Sequence, residues 1–117
     1  MIERRQAPRQ VLDLEVRVAT VAERPMPAAS MIDASANGLL FAVDEPIGLL
    51  ADMRVCVTMP LPDGRVHLVA RVARATRGDD FRTYVAVALD GDAAEPLRRF
   101  RDWLAARALD RADRPAA

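Results

Sequence analysis

The sequence contains no lysine: all seventeen basic residues are arginine, and seventeen Asp and Glu balance them to a formal charge of zero. A protein that holds nucleic acid by charge carries a basic excess, so this balance argues against a non-specific DNA or RNA binder. Aromatics are scarce, at three Phe, one Tyr and one Trp, which leaves little for a base-stacking platform. The single cysteine, Cys56, excludes an intramolecular disulfide and fits a reducing compartment. One Cys and one His (His67) cannot build a His/Cys metal cluster, and a Ser-His-Asp triad would need His67 off its strand and beside a serine. With no nucleophile–base pair in view, the expectation is a protein that is not an enzyme and carries no metal or cofactor. No apolar run nears the ~20 residues that span a bilayer. Met1-Ile2-Glu3-Arg4-Arg5 lacks the apolar core of a signal peptide. The expected location is the cytoplasm, with no membrane insertion.

What the chain has is aliphatic residues at strand spacing. Apolar residues make up 51% of its 117 residues and aromatics only 4%, enough for one domain with a core of Val, Leu, Ile, Met and Ala. Leu12, Leu14, Val16 and Val18 alternate with Asp13, Glu15 and Arg17, the pattern of a half-buried strand. Pro25 and Pro27 interrupt it. A second strand is expected over about Ala29–Ala34. A third takes Leu39–Val43, apolar throughout and so covered on both faces. Met53, Val55, Val57 and Met59 mark a fourth. Pro62-Asp63-Gly64 is a turn, and Val66, Leu68, Ala70 and Val72 mark a fifth strand. Gly78-Asp79-Asp80 turns the chain again, into a sixth strand through Thr83, Val85, Val87 and Leu89.

The period changes after Asp90. Leu97, Phe100, Leu104 and Ala108 stand at helical spacing, with Trp103 beside them. Asp92 and Glu95 form a capping box, and Pro96 is tolerable only in the first turn. Arg98, Arg99, Arg101 and Arg107 read as the solvated face of this helix. Six short strands and one helix predict a mostly β fold, a six-stranded antiparallel barrel with a C-terminal helix. The expected divisions are a flexible arm over 1–10, the barrel over 11–91, the helix over 92–110 and a tail over 111–117.

Two motifs carry chemistry. Asp33-Ala34-Ser35-Ala36-Asn37-Gly38 lies between apolar runs. Asp33 can accept from a donor edge, Ser35 can donate or accept, and Gly38 allows positive φ or the close approach of another group. Taken alone, the stretch reads better as ordinary turn chemistry, a tight turn joining two strands. Upstream, Arg4-Arg5-Gln6-Ala7-Pro8-Arg9 sets an R-x-x-x-R pair, Arg5 and Arg9, just before the first strand.

R-x-x-x-R followed by D-x-S-x-x-G resembles the signature of the PilZ domain family, whose members bind the bacterial second messenger cyclic di-GMP (c-di-GMP). The resemblance covers nearly the whole chain and implies a split barrel followed by a helix. It implies ligand contacts for Arg5, Arg9, Asp33, Ser35 and Gly38. In the family an arginine just before the pair, here Arg4, accompanies binding of a stacked pair of ligands, so two c-di-GMP per chain are expected. The last strand departs from the family: Ala86 and Leu89 stand where many members carry a glycine followed by an aromatic. The implied function is that of a receptor and adaptor whose arm orders on the ligand and changes the surface offered to a downstream protein. The alternative is a PilZ-like interaction module for motility or secretion machinery that does not bind c-di-GMP. A homodimer through the helix or an exposed strand edge stays open.

Overall fold

The structure, a computed structural model, describes residues 10–20, 28–44, 49–89 and 95–112. Residues 1–9 of the expected arm (1–10), Asp92 of the capping box and residues 113–117 of the expected tail (111–117) lie outside the described residues; Gln10 opens the first strand instead, and residues 111 and 112 end the helix. The elements are β1 (Gln10–Thr20), β2 (Ala29–Ser35), β3 (Gly38–Val43), β4 (Arg54–Leu61), β5 (Gly64–Arg77), β6 (Thr83–Leu89) and α1 (Glu95–Ala112).

The strands form a closed antiparallel barrel in the order β1-β2-β3-β6-β5-β4. The expected fold is therefore the observed one. Alternation is its cause: every second residue of a strand points the same way. Leu12, Val16 and Val18 of β1, Val55, Val57 and Met59 of β4, and Val66, Leu68 and Val72 of β5 all point into one aliphatic core. β3 is covered on both faces as its apolar run predicts, with only Leu40 half-buried. The departure in β6 leaves the barrel intact: Thr83 through Ala88 pair with β3, and β5 covers the other edge.

Closure gives each strand a neighbour on both sides, which removes most of the edge that strand-to-strand dimerisation would use. The exception is β1. It meets β4 only across Arg17–Thr20, while its first half pairs with β2 alone. α1 packs chiefly against β5, and Gln10 at the start of β1 bonds to it through the Leu104 carbonyl. Leu97, Phe100 and Leu104 join the core cluster. Phe100 is fully buried, with the Trp103 ring 6.2 Å away. The helix begins at Glu95, so Pro96 sits in the first turn, where its missing N–H costs nothing.

The arginine face of α1 differs from the expectation. At ~100° per residue, positions two apart lie on opposite flanks of a helix. Arg99 and Arg101 therefore straddle Phe100 and reach different hairpins. Arg99 Nη2 donates to Asp63 Oδ1 at 2.9 Å and to the Gly64 carbonyl at 3.3 Å. Arg101 Nε donates to the Ala36 carbonyl at 2.8 Å, and its Nη2 to Asn37 Oδ1 at 3.4 Å. Arg107 lies over the Trp103 ring at 5.8 Å. Only Arg98 is the exposed charge that the pattern predicts. A helical wheel shows which face is polar, not what stands beside it.

Candidate functional site

Asp33, Ser35 and Gly38 come together around the β2–β3 hairpin. Ala36 and Asn37 make the turn, and Ser35 pairs directly with Gly38. The Asn37 N–H donates to Ser35 Oγ at 3.3 Å, a local bond that shapes the turn. Gly38 is buried and does not have a positive φ. It is a close-approach glycine: a Cβ there would stand 3.0 Å from the Val87 carbonyl oxygen of β6.

Asp33 faces outward because of a bulge. Met31 pairs with Phe41 and Asp33 with Leu40, so Ile32 is the extra residue. Without it, Asp33 would share the inward face of Met31, since strand residues two apart point the same way. With it, Asp33 is half-buried on the outer surface, beside exposed Val11 of β1 and half-buried Leu40 of β3. Ser35 follows on the same outer side. A half-buried carboxylate and a buried hydroxyl, Ser35 being 7% exposed, thus lie on one side of one strand.

That face continues over small residues. Gly38 pairs with Ala88, and Leu40 with Ala86. Ala86, one of the departures from the family pattern, is half-buried here and keeps the surface low. The turn itself is held from α1 by Arg101, and the Leu89 N–H donates to the Asn37 carbonyl at 3.0 Å. Gln10 anchors the other side: its Nε2 donates to the Leu104 carbonyl at 2.8 Å, and it pairs with Ala34 of β2. Sequence reasoning missed Gln10 and Arg101 as supports of this hairpin. Neither belongs to a motif, and both contacts bridge more than sixty residues of chain.

Arg4, Arg5 and Arg9 lie outside the described residues. Cys56 is half-buried on β4. His67 Nδ1 lies 2.8 Å from the Thr58 hydroxyl on the neighbouring strand. Among the described residues no three His, Cys, Asp or Glu cluster to hold a metal, and no helix is long and apolar enough to cross a membrane.

The chain is similar in fold to several solved proteins. It matches the Bacillus subtilis inhibitor of motility (MotI/DgrA) with a TM-score of 0.76 and 18% identity, over 93% of this chain and 53% of that one. It matches K. pneumonia MrkH, solved as a complex with c-di-GMP, with a TM-score of 0.73 and 17% identity, over 95% and 55%. It matches the PilZ domain of YcgR from Escherichia coli, solved with c-di-GMP, with a TM-score of 0.68 and 14% identity, over 97% and 100%. It thus spans about half the length of the first two. No curated protein matches its sequence. The PilZ domain family model matches residues 3–106, almost the whole of the barrel and helix together, and the chain belongs to the PilZ domain family.

Proposed function

We propose that this chain is a receptor for c-di-GMP, built as a binding and adaptor module rather than an enzyme. One observation carries the reading. The R-x-x-x-R sequence ends at the residue before Gln10, and Gln10 pairs with Ala34, which lies between Asp33 and Ser35. Chain connectivity therefore ties the two halves of the signature together. Arg5 stays within about 14 Å of Arg9 whatever path the arm takes.

The chemistry fits the ligand. Arg5 and Arg9 supply planar forks for phosphates or for guanine O6 and N7. Asp33 accepts from the guanine N1–H and N2–H₂ edge, and the Ser35 hydroxyl bonds a phosphate or a base. Each good bidentate contact contributes about 1–3 kcal/mol, so several together reach the ~8 kcal/mol of micromolar binding. Arg4 adds charge for a second, stacked ligand. YcgR and MrkH, similar in fold and solved with c-di-GMP, support the assignment.

Signalling follows from what the ligand orders. An arm drawn onto the outer face of β2 loses conformational freedom and alters the surface that a downstream protein meets. α1 is placed to sense this, because Gln10 and Arg101 bond it to both flanks of the site.

A second reading has its own support. Ser35 Oγ is used by the Asn37 N–H, and Gly38 is required by the Val87 carbonyl. Both residues have duties in the fold, as a PilZ-like interaction module without a ligand would also need.

Thermal melting with c-di-GMP separates the two. A specific ligand raises the midpoint with concentration, as mass action requires. The receptor reading expects a shift that Arg9→Ala and Asp33→Ala each remove. No shift in any of the three proteins would favour the module, and equal shifts in all three would overturn the roles given to Arg9 and Asp33.

A further inference from the structure

The geometry points to Arg74 as the ligand residue on the far side of the same face, its guanidinium taking the O6/N7 edge of a c-di-GMP guanine. This assignment rests on the receptor reading.

It begins with a second bulge. The inward residues of β5 run Val66, Leu68, Ala70, Val72 at a strict spacing of two. The same count would turn Arg74 into the core. Instead Val72 pairs with Val87 and Arg74 with Ala86, so Ala73 is the extra residue and Arg74 emerges on the outer surface. Bulges commonly re-aim a side chain beside a functional site. Here two of them act in concert. The one in β2 turns out Asp33 and the one in β5 turns out Arg74, onto a single row: Asp33–Leu40–Ala86–Arg74.

The row crosses three interstrand steps, ~14 Å. Gly38, Ala86 and Ala88 offer nothing longer than a methyl group, so the floor between its ends is low. A planar base can lie there, against Leu40. The ends carry opposite halves of guanine recognition. Asp33 accepts from the donor edge, and the Arg74 fork donates to the acceptor edge. A ligand with two guanines presents one to each end.

Arg74 is also available. It is exposed, and no acidic residue pairs with it among the described residues. Arg71, the next outward residue on β5, already lies 3.5 Å from Asp52. A strand backbone holds Arg74 in place, so less freedom is lost on binding than from a residue on a free segment.

Calorimetric titration of the full chain and of four variants tests the assignment, with melting midpoints showing that each is folded. Arg74→Ala is expected to weaken c-di-GMP binding roughly ten- to a hundred-fold. Arg74→Lys, which keeps the charge and loses the fork, is expected to fall nearly as far. Arg65→Ala, exposed on the same strand but off the row, should titrate as the parent does. If Arg74→Ala binds like the parent while Arg9→Ala does not bind, the assignment fails and the receptor reading stands. Full rescue by Arg74→Lys also overturns it, because a point charge near a phosphate would then suffice. No binding by the parent removes both readings.

Discussion

At the scale of single residues, Gly38 shows how a motif position can serve the fold. Its sequence context allowed either a positive φ or a close approach, and the structure selects the second, with the Val87 carbonyl in the way of any Cβ. That oxygen belongs to the backbone of a strand paired on both sides, so it has little room to retreat. Gly38→Ala is expected to destabilise the protein by about 1–3 kcal/mol, lowering the melting midpoint by several degrees. An unchanged midpoint would mean that β6 gives way freely. Asp33 and Arg74 teach the complementary lesson. Strict alternation puts both toward the core, and only the extra residues Ile32 and Ala73 turn them out. A bulge is set by the register of two strands far apart in sequence, so no count along one strand reveals it. The residue types of the signature were legible in the sequence; the outer face that Asp33 shares with Arg74 was not.

At the scale of elements, the strands and helix were readable because their periods are clean. β1 and β4 alternate without a break, and Leu97, Phe100 and Leu104 keep the helical interval. What lay beyond reading was how α1 is fastened. Its two arginines seize hairpins on opposite flanks, and those partners are set by tertiary structure. The Arg99 guanidinium holds the Asp63 carboxyl below the usual carboxylate range, chiefly through their hydrogen bond. Asp80 is likewise held down, first by the Tyr84 hydroxyl and then by the Arg82 N–H. A depressed carboxylate stabilises the fold above its unfolded pKa and loses that contribution as pH falls through the lower folded value. Stability should therefore decline on acidification below about pH 4. Asp63→Asn should flatten part of that decline, which urea melts between pH 7 and pH 3 would reveal. Truncating the buried ring of α1 is a harsher test: Phe100→Ala should cost about 3–5 kcal/mol, since the ring is wholly buried beneath the helix. A loss below 1 kcal/mol in the same melts would contradict the role given to α1.

At the scale of the whole molecule, a neutral chain of the PilZ domain family carries its cationic groups in particular places. One set precedes β1, another clasps α1 to the hairpins, and Arg74 stands at the edge of a low surface on β3 and β6. The barrel supplies a rigid floor, and α1 is bonded to both sides of the signature hairpin. On the receptor reading proposed above, these bonds are the route by which binding on that floor would reach α1. The most direct test is calorimetric titration of the intact protein with c-di-GMP. Saturable binding in the micromolar range or tighter, with two ligands per chain, is the predicted result. Saturation at one ligand would remove the role given to Arg4. An absence of heat over that range, with no thermal shift, would contradict the receptor reading and leave the barrel as a ligand-independent interaction module.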